Sequence, residues 1–308
     1  MLEGWVLVQV LIMAIQSVVW RDSWNVIAPA FCDISSHLYQ GLTIGIPACS
    51  FIITRRVWFA IKGDSALDSH KMRKELLVDY LLGIGAPLLS MIIMYPVQGS
   101  RFQVIENYGC SSYIYQCGAA LILLQMWTVV FPVLSVSLYG WRIVAYIYRH
   151  RRTTNRFLRE LTDGSDRPGY IRTVALACVD IALVLPLGLV NIATSVSVGM
   201  PFWPGWSTVH QYWAPNTVAD TEWRISGVWA ANIYWNQCSG VILSAVIFLL
   251  FGLTSTTRDL YKKAYKRARL SGSSIAPSWG SSLFTPPSVS LVAVECAFTL
   301  PYTYLAMR

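Results

Sequence analysis

The sequence predicts an all-α integral membrane protein, a bundle of apolar helices. Three observations carry that expectation. Of 308 residues, 55% are hydrophobic and only 13% charged, whereas a soluble domain has about a quarter charged. The apolar residues gather into six stretches, at about 4–20, 31–53, 76–98, 118–141, 173–199 and 229–253. Each approaches the roughly 17–25 residues that cross a bilayer core as a helix. The segments between them alternate between basic-rich and basic-poor. Hydrocarbon offers no water to the backbone, so every crossing stretch is expected to be helical.

The first stretch begins almost at Met1 and lacks the basic start and small-residue cleavage site of a secretory leader. The loop after the second stretch carries Arg55, Arg56, Lys62, Lys71, Arg73 and Lys74. The loop after the fourth carries Arg142, Arg149, Arg151, Arg152, Arg156, Arg159, Arg167 and Arg172. The remaining connections hold only Arg21, Arg101 and Arg224. The positive-inside rule places the basic loops in the cytoplasm and loops 21–30, 99–117 and 200–228 outside. Both termini are then expected in the cytoplasm.

The bundle is expected to occupy residues 1–253 and a cytoplasmic tail residues 254–308. Within the tail, Leu260, Tyr261, Ala264, Tyr265 and Ala268 recur at helical spacing among lysines and arginines. A basic amphipathic helix over about 257–269, lying on the anionic inner leaflet, is the expectation. Residues 271–288 are rich in Ser, Pro and Gly and read as disordered. Residues 289–307 are apolar again, but Glu295 and Pro301 favour a non-spanning tail.

Polar residues inside the spans are costly there and are candidates for function. Asp33 and His37 stand one turn apart near the outer end of the second stretch. They suit a mutual pair, a water-filled outer cavity or simple solvation. Asp180 lies deep in the fifth stretch, ahead of Pro186. It reads equally as a switch between helices and as static interhelical glue. Pro47, Pro87, Pro132 and Pro186 interrupt four successive stretches and are able to kink them. The outer loop 200–228 and its edge carry Trp203, Trp206, Trp213, Trp223 and Trp229. An interfacial aromatic belt and an apolar mouth for a hydrophobic ligand both explain this, the belt being the commoner case. Cys49, Cys178 and Cys238 fall inside stretches and are expected to pack as small hydrophobes. Cys32 and Cys110 both face the oxidising side, where a bridge between them is allowed; Cys117 competes for it.

No phosphate-cradling glycine loop, metal-spaced His/Cys set or Ser/His/Asp grouping stands in the chain. The four histidines, His37, His70, His150 and His210, divide between the two sides of the membrane. Enzyme, cofactor, metal and nucleic-acid readings therefore lack support, and no broken, repeat-related pair of spans suggests a transporter.

Several blocks in order resemble one family. They are Ser17-Val18-Val19-Trp20-Arg21-Asp22 with Ala28-Pro29 and Phe31-Cys32-Asp33-Ile34; Gly45-Ile46-Pro47-Ala48 leading to Arg55-Arg56; Gly83-Ile84-Gly85-Ala86-Pro87 with Tyr95, Gln98, Arg101-Phe102, Glu106 and Gly109-Cys110; and Ala175-Leu176-Ala177, Asp180-Ile181 and Val184-Leu185-Pro186-Leu187-Gly188. Over about residues 11–253 the chain resembles the fungal a-factor-type mating pheromone receptors, class D of the G protein-coupled receptors. The resemblance implies a seven-transmembrane bundle in the plasma membrane, a farnesylated peptide pheromone as ligand and a heterotrimeric G protein as partner. Residues 4–20 resemble the family's second span, so the first is expected to be missing here, through an incomplete gene model or a truncated protein.

By position, Asp33, His37, Gln98, Arg101, Trp203 and Trp206 are the expected pheromone contacts. Arg55, Arg56, Arg149, Arg151 and Arg152 are the expected G protein contacts, with topogenic charge as the equal alternative. Asp180 and Pro186 form the expected conformational switch. A truncated non-signalling relative and a small-solute transporter are the competing readings.

Overall fold

The computed structural model describes residues 1–62, 69–149, 169–197, 199–252 and 262–263. Among them are six helices long and apolar enough to cross a membrane: Leu2–Val19, Pro29–Ala60, Met72–Val97, Trp127–Tyr146, Ala175–Ala193 and Gly227–Gly252. They are called here the first to sixth spans. Most of the basic helix expected over 257–269 lies outside the described residues, as do Arg151 and Arg152.

The second span is the hub. In its most apolar window 61% of residues are buried, against 22–28% in the other five. Its neighbours carry apolar residues to the outside, such as Leu7, Leu11, Leu88, Ile92 and Val144. That inside-out surface suits lipid, which solvates apolar side chains as well as a protein core does. The main cluster joins Leu2, Val6 and Ile12 of the first span to Leu42, Ile46 and Cys49 of the second, with Leu176 and Leu243 from the fifth and sixth.

Intramembrane prolines leave carbonyls without their helical donors. Pro87 occupies the donor position for the carbonyl of Gly83, and the backbone there relaxes into a π-turn over Leu81–Gly85. The Trp5 indole of the first span donates to that carbonyl at 2.9 Å. Three residues before Pro186, the carbonyl of Leu183 accepts from the Trp235 indole of the sixth span at 3.0 Å. Each proline-perturbed turn thus becomes an interhelical tie.

The structure departs from an entirely helical chain at one end of the bundle. Residues read as outer loops build a three-stranded sheet in the order β2-β1-β3. Strands β1 (Gln98–Ile105) and β2 (Gly109–Ile114) form an antiparallel hairpin, and β3 (Asn216–Val218) pairs parallel with β1. Asn107 at the hairpin turn has φ 63°, a region asparagine tolerates better than most residues. Gly109 follows at φ +104°, and a Cβ there would lie 2.6 Å from that of Gln16. The vacated space lets Gln16 Nε2 donate to the carbonyl of Cys110 at 2.8 Å.

The hairpin is pinned to the second span by a disulfide between Cys32 and Cys110, whose Cα atoms are 5.1 Å apart. Trp20, Phe102 and Val104 bury fully around it. Cys117, the competing candidate, is a buried free thiol. Cys49 is buried as expected of a small hydrophobe, whereas Cys178 is exposed on the bundle surface and Cys238, though buried, is disulfide-bonded.

Candidate ligand cavity

Beneath the hairpin, the bundle encloses a cavity of about 340 Å³. Gln103, Ile105, Tyr108, Ser111, Ser112 and Ile114 of the hairpin roof it. Its walls come from all but the third span: Gln9 of the first; Tyr39, Gln40, Thr43 and Pro47 of the second; Thr128 of the fourth; Asp180, Leu183, Leu187 and Asn191 of the fifth; and Trp229, Asn232, Trp235, Asn236 and Ser239 of the sixth. From Tyr39 to Pro47 it runs about 12 Å along the second span at 1.5 Å per residue.

One wall is a ladder of amides. Asn232 Nδ2 donates to Asn191 Oδ1 at 2.7 Å, and Asn236 Nδ2 donates to Asn232 Oδ1 at 2.8 Å. Leu42, Ile46, Leu187 and Leu243 give the lining its apolar part. Burial pushes the Tyr108 phenol well above its ordinary pKa and keeps it neutral. The deepest polar group is Asp180, 1% exposed, which accepts a hydrogen bond from Ser50 through Oδ2. One turn along, the Thr54 and Ser135 hydroxyls meet at 2.6 Å. The second span is therefore joined by polar side chains to both the fourth and the fifth.

The residues expected to contact a ligand sit elsewhere. Asp33 and His37 do not pair through their side chains: His37 Nδ1 lies 2.8 Å from the backbone carbonyl of Asp33. The Asp33 carboxylate receives a two-pronged bond from Arg101, at 2.8 and 2.5 Å. That bond raises the Arg101 pKa above its ordinary value. Gln98 is buried and donates to the carbonyl of Arg101 at 2.7 Å. Trp206 stacks on His210 with centroids 4.0 Å apart; His210 stacks in turn on Trp213, and Tyr95 closes the group. Trp203 is 39% exposed. None of these residues lines the cavity. Asp33, Gln98 and Arg101 brace the sheet, and Trp206 joins the ring cluster of the adjoining loop. Of the five tryptophans in and beside that loop, Trp229 lines the cavity and Trp223 is buried beneath β3, while Trp203, Trp206 and Trp213 face outward.

The amides that do line the cavity left a sequence signal. Asn232, Asn236 and Ser239 recur at helical spacing in the sixth span, and Gln9 stands on the buried face of the first, seven residues before the Gln16 that holds the hairpin. Buried amides inside a membrane have to face one another or a cavity.

At the other end of the second span, about 35 Å from Asp33 by helical rise, Arg55 Nη1 and Arg56 Nε reach the two oxygens of Asp79 at 2.8 and 2.5 Å. Asp79 and the Arg55 side chain are largely buried, whereas the Arg56 side chain is 54% exposed. Arg149 is exposed at the end of the helix Trp141–Arg149.

A multi-pass bundle holding a cavity of mixed polar and apolar lining under a disulfide-pinned cover has the architecture of a membrane receptor. The chain belongs to the Pheromone A receptor family, whose profile matches residues 1–270. It is 29% identical to the Pheromone B alpha 2 receptor of Schizophyllum commune over 85% of this chain and 40% of that protein. It is 27% identical to Pheromone receptor 1 of Mycosarcoma maydis over 88% of this chain and 76% of that one. Against the Pheromone a factor receptor of Saccharomyces cerevisiae, identity is 21% over 86% and 55%. The chain thus spans about 40% of the length of the Schizophyllum relatives it matches. No solved structure matches it.

Proposed function

We propose that this chain forms the ligand-binding and transducing bundle of a plasma-membrane receptor for a farnesylated peptide mating pheromone, coupled to a heterotrimeric G protein. The observation that carries this reading is the cavity itself. It joins hairpin, amide ladder and apolar side chains, and so offers both peptide-bonding groups and a surface for a hydrocarbon group. The named relatives are pheromone receptors of fungi. The arginine-bearing end of the second span would face the cytoplasm and the G protein, with Arg56 and Arg149 presented there and Arg55 held by Asp79.

Ligand in the cavity would act on the helices through the groups that tie them. Asp180, bonded to Ser50, lies at the end of the cavity nearer the basic end, and Pro186 stands beside the cavity-lining Leu187 on the same span. A ligand that favours one helix arrangement over another shifts affinity for the partner by the same free energy in both directions. The test is a reporter of G protein activation in receptor-deficient fungal cells, challenged with farnesylated pheromones and their unmodified peptides. A response to lipidated peptides that Asn236→Leu weakens, with surface level unchanged, supports the reading. A surface-expressed chain that answers no pheromone sinks it.

A further inference from the structure

We infer that the bundle cavity is a cation site, with Asp180 as its anionic pole. Two buried side-chain oxygens that line this cavity, Gln9 Oε1 and Asp180 Oδ1, have no hydrogen-bond partner among the described residues. The Tyr39 hydroxyl, which also lines it, faces the Tyr108 phenol. Buried polar groups without partners are rare and costly, so two on one cavity mark the chemistry that it is built to receive. An amide oxygen and a carboxylate oxygen only accept. What both lack is positive charge or a donor.

The charge distribution agrees. The chain carries 24 lysines and arginines, yet among the described residues no Lys, Arg or His lines the cavity. Among those residues Asp180 has the neutral Ser50 hydroxyl as its hydrogen-bond partner. A carboxylate within a membrane bundle normally has a cationic partner. Asp79, the other buried carboxylate of the described spans, has two arginines. Protonating Asp180 does not remove the deficit. A proton on Oδ1 is a buried donor with no acceptor, and a proton shared with Ser50 through Oδ2 leaves Oδ1 bare. A cation at Oδ1 answers both the charge and the missing bond. The shared chemistry is a small monovalent cation, supplied either as an inorganic ion or as the ammonium group of an organic ligand.

The experiment needs no pheromone, so it stands or falls apart from the receptor reading. The purified full chain is melted in sodium, methylammonium or N-methylglucamine chloride at equal ionic strength, the last and bulkiest cation serving as the reference. A saturable rise in Tm with sodium alone identifies an inorganic ion site. A rise with methylammonium alone identifies a site for a ligand's amine, and a rise with both a site open to either. Each supports the inference if Asp180→Asn abolishes the rise and Glu3→Gln, an exposed change outside the cavity, retains it. Melting identical to that in N-methylglucamine, or a rise that persists in Asp180→Asn, overturns it. Should Asp180→Asn fail to fold, Gln9→Leu replaces it: a right-shifted cation dependence supports the site and an unchanged one rejects it.

Discussion

Trp5 donates its indole N–H to the carbonyl of Gly83 at 2.9 Å, the carbonyl whose helical donor position is taken by Pro87. A proline that would weaken the third span alone thereby fastens it to the first. Trp5→Phe keeps an aromatic ring and removes the donor. The carbonyl is then left in an apolar setting, and a loss of about 1 kcal/mol is expected. Thermal melting of the purified protein checks it. Trp5→Phe combined with Pro87→Ala should recover part of that loss, because alanine in place of the proline restores a backbone donor. A double variant less stable than the sum of the single ones would reject the coupling.

The Cys32–Cys110 bridge spans 78 residues of sequence and closes the sheet onto the second span. Removing a native disulfide typically costs about 2–5 kcal/mol. Cys110→Ser is expected to lower surface expression, and a reducing agent to lower the Tm of the wild type more than that of the variant, which keeps the disulfide of Cys238. Because Trp20, Phe102 and Val104 still pack there, Cys32→Ala/Cys110→Ala should fare better than Cys110→Ser alone, which leaves one buried thiol facing a hydroxyl. Equal behaviour of all three proteins under reduction would remove the bridge as a stabilising element.

The six helices were legible because a membrane span announces itself locally, by length and composition. The sheet was not. In Gln98–Ile105 the burial pattern alternates only from Arg101 onward, and β3 is three residues long, with a partner more than a hundred residues earlier. Parallel pairing at such separation leaves no local period to read. The same limit explains the site. Asp33 and Arg101 each stand out for charge and position, but their engagement with one another, across 68 residues, is a product of the hairpin's docking. Asp180 was legible because a carboxylate is conspicuous in hydrocarbon. The asparagines of the cavity wall are individually unremarkable and become a site only when the fifth and sixth spans meet.

At the basic end, Arg55 and Arg56 share one carboxylate but differ in setting. Truncating a partner of a largely buried pair costs about 3–5 kcal/mol, while an exposed pair is worth about 0–1 kcal/mol. Arg55→Ala is therefore expected to destabilise the bundle strongly and Arg56→Ala hardly at all. If Arg56 serves the G protein, Arg56→Ala should reduce reporter output at unchanged surface level. Equal melting of the two variants would contradict the burial argument, and unaltered signalling in Arg56→Ala would return that residue to simple topogenic charge.

Gly109 offers the sharpest steric test, since two independent demands meet at one Cα. Its φ of +104° disfavours any side chain, and a Cβ would lie 2.6 Å from the Cβ of Gln16. Left-handed backbone costs an L-residue about 1–2 kcal/mol. Displacing Gln16 forfeits its bond to the Cys110 carbonyl, worth about 1 kcal/mol. Gly109→Ala should therefore lower Tm and detach the hairpin from the first span. Adding Gln16→Ala should not rescue it, because the Cβ contact and the backbone strain both persist. Gly4→Ala, where a Cβ meets nothing within 4 Å, is the control; in a helix interior it is expected to be neutral or to stabilise by up to about 1 kcal/mol. Gly109→Ala melting with the wild type would mean that the hairpin turn relaxes freely, and the cavity roof would then be held by its disulfide, the Arg101–Asp33 pair and its pairing with β3.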